Sequence, residues 1–341
     1  MYLFTTLHRA YGQPSSRGMI KARDEDFRVD EIMPVVPSGQ GEHLWLQIRK
    51  SGCNTDWVAR QLAQWAQLKP MAVSYAGLKD RHGVTTQWFS IHLPGQADPD
   101  LSSLDLEGVE VLQHQRHDRK LKRGTLSGNC FKLLIHEVEG DRNELEQRLA
   151  HIKQAGIPNY YGEQRFGHDM ANLDKAEQLF QGSFSRMKRH QKSLYLSAAR
   201  SWLFNRVLSE RIERGDWNHF ITGDVLMLDG KSACFSDDGS ADLKARVRSR
   251  ELHPTGPLWG RGRSMAEAEC ALLEQSIVEQ MPVLAQGLEA AGLKQERRAL
   301  RLIPDRLSWQ WQDEQTLELQ FCLPSGTYAT MLVRELVDQT A

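Results

Sequence analysis

The chain has 341 residues, room for about two domains at roughly 150 residues each, and 40% hydrophobic residues suffice for packed cores rather than disorder. Lys and Arg total 43 against 44 Asp and Glu, a net charge of -1, which excludes a partner recruited by a global excess of charge. No apolar run approaches a membrane span, and the N-terminal MYLFTTLHRAYGQPSSRG lacks the basic start, apolar run and cleavage site of a signal peptide, so a cytoplasmic protein is expected.

In chain order, the first strong signal is HLWLQIRK, where Leu44, Leu46 and Ile48 alternate as in a strand. Asn54 or Thr55 can then cap a helix with Val58, Leu62 and Trp65 on one face. VSYAGL reads as a strand, Lys79-Asp80-Arg81 as a charged turn, and the run through Thr86, Trp88 and Ser90 as a second strand. Residues 109–112 and 131–135 predict two more strands with a basic segment between them. From about residue 155 the periodicity becomes helical: Leu196, Ala199, Leu203 and Val207 recur at helix spacing, and 265–281 reads as a helix closed by Pro282. After about residue 304, LSWQWQ and TLELQFCL return to strand patterning, and Ala329, Leu332, Val333 and Leu336 mark one face of a final helix. The expected architecture is one α+β domain interrupted by a mostly helical insertion. Five scattered cysteines, three of them in apolar-patterned segments, predict reduced core thiols rather than a disulfide framework.

Although the total charge is balanced, its signs are segregated. Residues 178–209 contain no Asp or Glu but carry Arg186, Lys188, Arg189, Lys192, Arg200 and Arg206. Residues 116–132 hold Arg116, Arg119, Lys120, Lys122, Arg123 and Lys132 against Asp118 alone, and Lys244, Arg246, Arg248, Arg250, Arg261 and Arg263 form a third cluster. Any one of these is an ordinary solvated face; three of them, spread over both expected domains, predict a phosphate-binding groove with salt-sensitive affinity. Walker, GxGxxG, HExxH, CxxC and GxSxG motifs do not occur, and His114 and His117 lack the further ligands a metal needs, so no metal or nucleotide-cofactor site is expected.

The segment YAGLKDRHGVTTQWFSI carries most of the functional inference. An Asp at a charged loop tip is by itself a solvated turn, but neighbouring cations favour its ionised form, and an anionic Asp80 beside a polyanion can act as nucleophile or base. Here the chain resembles the TruD family of tRNA pseudouridine synthases. GLKDRHGVTTQ is similar to its catalytic loop, SGNCFKL to the following core strand, NYYGEQRFG to the entry of its insertion, HPTGPLWG to a turn within that insertion, and SGTYATMLVREL to its C-terminal helix. With KARDEDFRVDEI near the start, the resemblance spans essentially the whole chain in order.

It implies a pseudouridine synthase catalytic domain of residues 1–154 and 304–341 with a mixed or antiparallel central sheet, interrupted by an insertion domain of residues 155–303. It implies that Asp80 attacks a flipped-out uridine of tRNA, at position 13 of the D arm, whose N1 glycosidic bond breaks so that C5 can re-bond to C1′. Attack at C1′, attack at C6 and a glycal route all fit. No cofactor is required. Phe27, Asn129 and Tyr328 are implied substrate contacts. The residues add that Asn129 and Phe131 share a strand face, an amide beside a ring, and that Lys21 and Lys79 are candidates to pair with Asp80. Arg165 and Phe166, in the glycine-flanked GEQRFG, are read as structural. The expected partner is tRNA, with no membrane, no evident protein partner and a monomeric state. A noncatalytic RNA-binding or chaperone protein is the alternative. A nucleic-acid hydrolase would want a second carboxylate or a metal that the sequence does not offer.

Overall fold

The computed structural model describes residues 2–183, 187–237, 239–240 and 242–339; Arg186 of the acid-free stretch lies outside them. The chain begins with β1 (Arg17–Ile20), β2 (Phe27–Ile32), β3 (His43–Lys50), α1 (Thr55–Trp65), β4 (Val73–Tyr75), β5 (Val84–His92), β6 (Val109–His117), β7 (Gly128–Glu139) and α2 (Arg142–Ala155). There follow β8 (Ile157–Pro158), α3 (Ala171–Phe180), α4 (Arg189–Glu213), β9 (Val225–Leu228), β10 (Cys234–Ser236), α5 (Leu243–Arg248), β11 (Leu252–Leu258), α6 (Ala268–Glu279), α7 (Pro282–Ala290), β12 (Glu296–Ala299) and β13 (Arg301–Leu302). The chain closes with β14 (Asp305–Trp311), β15 (Leu317–Pro324), α8 (Ala329–Leu336) and β16 (Asp338–Gln339).

Two compact units result. A sheet unit comprises Ser15–Arg142, Pro304–Gly326 and Val337–Ala341, and a helix-rich unit comprises Met1–Pro14, Asn143–Ile303 and Thr327–Leu336. By compactness, therefore, the first fourteen residues, nearly all of α2, and α8 group with residues 155–303.

The sheet unit is built on a mixed sheet of ten described strands, with the path β14-β15-β7-β2-β5-β3-β6; β1 adds to β7 and β16, and β4 to β5. The β2–β5 pair is parallel, whereas β2–β7, β7–β15 and β3–β5 are antiparallel. Period-2 patterning explains its layers. Leu44, Leu46 and Ile48 point from β3 to the side covered by α1, where Val58 and Leu62 complete a core with Phe89 and Ile91 of β5. Trp45 points to the opposite side and packs with Ala76, Trp88, Leu121 and Leu126. The helix starts where predicted, but neither capping candidate caps it with a side chain: Asn54 takes the N-cap position without such a bond, and Thr55 turns its hydroxyl to Gln87.

The sequence expectation for the cysteines is overturned at two positions. Cys130 and Cys322 stand directly opposite each other on β7 and β15, their Cα atoms 4.0 Å apart, and form a disulfide, whereas Cys53, Cys234 and Cys270 are free thiols. The partners are 192 residues apart in sequence, so only the strand register brings them together.

In the helix-rich unit the 25-residue α4 buries Trp202, Leu203, Phe204, Val207 and Leu208, and Val207 meets Leu273 and Ile277 of α6. Two readings change here. Pro282 does not merely end a helix; it opens α7 from the first turn, where its missing N–H is not needed. HPTGPLWG is not a turn, because its first six residues lie in β11, in the four-stranded sheet β10-β9-β11-β12. β11 tolerates Pro254 and Pro257 because β9 flanks only residues 252–254 and β12, on another ladder, only residues 255–258. No described helix is long and apolar enough to cross a membrane.

Candidate active site

Asp80 lies on the loop between β4 and β5, whose strands pair antiparallel, so the strand, loop, strand reading with a charged tip describes the structure. The loop is fastened from behind along its length. Gln87 Nε2 donates to Gly77 O (3.0 Å), the Lys79 amide donates to Thr55 Oγ1 (3.0 Å), Lys50 Nζ donates to Asp80 O (2.8 Å), and Arg81 Nε donates to Gly52 O (3.0 Å). Thr55, Gln87 and Lys50 are buried, so most of these anchors are shielded from water. The loop leaves through Gly83, at φ +148°, where a Cβ would stand 2.7 Å from Phe27 O; only glycine lets the loop pass this close to the start of β2.

The Asp80 side chain itself remains accessible at 46% exposure, and its Oδ2 is 2.9 Å from Lys21 Nζ. Lys21 follows β1 in the left-handed region, at φ 59°, uncommon for a residue with a side chain, and its ammonium also sits 3.9 Å from the Phe27 ring centre. Of the two lysines considered for Asp80, Lys21 makes the pair. Lys79 does not: its Nζ goes to Glu31 Oε1 (3.0 Å), in a pair whose side chains are only 6% and 1% exposed, while Glu31 Oε2 accepts the Trp88 amide at 2.9 Å.

Register gathers the remaining candidates of this unit on one sheet face. Phe27, Val29 and Glu31 of β2 lie opposite Leu133, Phe131 and Asn129 of β7, and directly opposed residues point to the same side. The shared face of Asn129 and Phe131 is thus observed. Phe27 and Phe131 are nearly buried, edge to face at 6.2 Å, and Phe131 stacks on Phe321 at 5.3 Å. The Asn129 Oδ1 is buried without a hydrogen-bond partner among the described residues, an arrangement that costs stability unless a ligand fills it.

Tyr328 belongs to the helix-rich unit, just before α8. Its hydroxyl accepts from Arg165 Nε at 3.0 Å, its ring lies 6.3 Å from that of Tyr161, and a Cβ on Gly162 would approach its Cδ1 to 2.9 Å. Tyr161 is held by both amide atoms of Asn205, which pair with its backbone N–H and carbonyl at 2.9 Å each, and the Arg298 guanidinium lies 4.1 Å over its ring. Phe166 is fully buried against Phe4 and Trp202, as a structural residue should be; Arg165 instead binds the Tyr328 hydroxyl and Ser197 Oγ (3.2 Å).

Sequence reading singles out neither Glu31 nor Lys50. The available signal was a charged residue at an inward register position: Glu31 continues Phe27 and Val29, and Lys50 continues Leu44, Leu46 and Ile48. Of the basic residues, Lys188, Arg189 and Lys192 are exposed around the start of α4, whereas Arg200 is drawn in by Glu296 and Leu258 O. Arg116 pairs with Asp98, and Lys132 with Glu318. Among the described residues no three His, Cys, Asp or Glu side chains gather as a metal would require.

A mixed sheet carrying an anchored, accessible carboxylate beside an ammonium defines an α+β protein equipped for carboxylate chemistry. The fold is shared with a crystal structure of a Methanosarcina mazei protein assigned to tRNA pseudouridine synthase D, at TM-score 0.75 over 97% of this chain and 95% of that one, with 20% identity. A family profile described as tRNA pseudouridine synthase D (TruD) matches residues 6–172 and 168–336. Proteins named tRNA pseudouridine synthase D are 50% identical to it in Hydrogenovibrio crunogenus (96% of this chain, 95% of the relative) and Methylococcus capsulatus (98% and 95%), and 46% identical in Azotobacter vinelandii (97% and 94%). The chain belongs to the TruD family of tRNA pseudouridine synthases and is thereby an enzyme of the isomerase class.

Proposed function

We propose that the protein converts a uridine of tRNA, uridine-13 of the D arm, to pseudouridine, with the Asp80 carboxylate as nucleophile. The observation that carries this reading is the setting of Asp80: an accessible carboxylate, 2.9 Å from Lys21, on a loop fastened from behind by hydrogen bonds to buried side chains. A solvated turn has no need of such anchoring. The carboxylate attacks a uridine turned out of its stack, the N1 glycosidic bond breaks, the uracil rotates, C5 bonds to C1′, and the bond to the carboxylate breaks so that Asp80 is returned. A proton leaves C5 and one is gained at N1, so nothing is consumed and no cofactor is required.

Lys21, 2.9 Å from Oδ2, orients the carboxylate. Asn129 Oδ1 accepts the uracil N3–H, Phe27 and Phe131 form the apolar floor of that face, and Tyr328 supplies a ring to the target nucleotide. Turning the base out costs a few kcal/mol, which stacking of about 1–3 kcal/mol and phosphate contacts offset. Lys79 acts through Glu31, holding the loop against β2. Residues 1–154 and 304–341 serve as the catalytic domain and residues 155–303 as an insertion whose exposed Lys188, Arg189 and Lys192 hold phosphates. The protein works as a monomer, in the cytoplasm, where its substrate is. Mapping pseudouridine across total tRNA from cells with and without the protein tests the reading. Loss of the D-arm site alone is expected, and an unchanged D arm contradicts it.

A further inference from the structure

β3 carries its inward face one position beyond the apolar residues. Leu44, Leu46 and Ile48 are fully buried there, and Lys50, next in the same register, is 1% exposed. An aliphatic side chain would complete this face. Lys50 instead directs its Nζ to two backbone carbonyls, Cys53 O at 2.7 Å and Asp80 O at 2.8 Å. Among the described residues no carboxylate lies within ion-pair distance of it, so the fold keeps a buried ammonium whose partners are neutral. Burying a charge this way is costly, and hydrogen bonds from a charged donor are correspondingly strong.

We propose that Lys50 is a positioning residue for the reaction: its ammonium clamps the peptide carbonyl of Asp80 from inside the fold, fixing the loop while Lys21 holds the carboxylate from outside. This rests on the reading of Asp80 as the attacking group. The division of labour follows from the two ends of one residue. Lys21 reaches the side chain and Lys50 the main chain, so the carboxylate cannot swing by loop movement between encounters with substrate. Lys79 cannot substitute, because Glu31 occupies it.

The groups facing the ammonium are the Cys53 thiol from the turn after β3, the Asp80 carboxylate and the Lys79 ammonium from the catalytic loop, and the Asp24 carboxylate from the segment before β2. Burial outweighs its carboxylate neighbours and pulls the Lys50 amine down to about 8. A neutral amine makes weaker bonds to the same carbonyls, so the clamp should slacken as the pH passes that value.

The test is single-turnover pseudouridine formation on an unmodified tRNA transcript with enzyme in excess, from pH 6.5 to 9 by design of the assay, for wild type, Lys50→Met and Asp80→Asn. Lys50→Met is expected to slow the step about tenfold or more while changing the tRNA Kd less than about threefold, since the side chain of a residue 1% exposed is out of reach of RNA. The wild-type rate should fall with a midpoint near 8, and the Lys50→Met rate should show no such fall. A folded Lys50→Met within about threefold of wild type overturns the proposal, as does a parallel fall in both proteins. Should Lys50→Met not fold, Lys50→Gln, which keeps a neutral donor, takes its place under the same criteria, and a flat wild-type profile between pH 7 and 9 is by itself contrary. An active Asp80→Asn would instead remove the underlying reading, so the two failures are distinguishable.

Discussion

Two lysines serve the Asp80 loop, Lys21 beside it and Lys79 within it, and their surroundings assign them different work. Lys21 and Asp80 are both substantially exposed, so their pair contributes about 0–1 kcal/mol to stability. Lys21→Met should leave urea unfolding nearly unchanged and slow catalysis, whereas Lys79→Met strands the buried Glu31 carboxylate and should cost about 3–5 kcal/mol of stability. Equal losses of stability in the two variants would contradict this division. Lys50 supplies a pH signature. Its folded-state amine, held down to about 8 from an ordinary 10.5, binds a proton less tightly than in the unfolded chain. The penalty is fully present below pH 8 and is relieved as the pH rises toward 10.5, so over that window wild type should gain stability relative to Lys50→Met, read as the difference between their urea midpoints. At Tyr328 the ring should matter more than the hydroxyl. Tyr328→Phe should stay within about threefold of wild type, while Tyr328→Ala should lose about 10- to 100-fold if the ring stacks on the nucleotide at about 1–3 kcal/mol.

Elements were legible in the sequence where period and burial agree. β3, the face of α4 and α8 follow from apolar spacing alone, because each lays one stripe on one core. β11 was not legible, since two prolines and a glycine give it the composition of a turn; only its split pairing with β9 and β12 makes it a strand. The Cys130–Cys322 pair was likewise hidden, because β7 and β15 must first be set in register. The Asp80 loop could be recognised, but the identity of its anchors could not: Thr55, Gln87 and Lys50 come from a helix and two strands whose approach is a tertiary fact. In the helix-rich unit, α4 is tied to the following loop by Arg211, which is 1% exposed and bonds the fully buried Asp224 at 2.8 Å. Asp224→Ala should therefore cost about 3–5 kcal/mol in urea unfolding; a loss under about 1 kcal/mol would mean that Asp216, the arginine's other carboxylate partner, compensates it.

For the whole molecule, a net charge of -1 hides signs segregated along the chain, and binding should report the local sign rather than the total. Reversing the charge of the exposed Lys188, Arg189 and Lys192 should weaken tRNA binding and lower the slope of log K against log salt by about 0.7–0.9 per lost phosphate contact, with single-turnover chemistry at saturating RNA little changed. An unchanged slope would transfer the phosphate contacts to residues 116–132. The central claim, that a carboxylate on an anchored loop performs the isomerisation, is tested most directly by Asp80→Asn, which keeps the shape and removes the nucleophile. The purified variant should bind a tRNA transcript within about threefold of wild type and form no pseudouridine in a single turnover; formation within about tenfold of the wild-type rate would contradict the account.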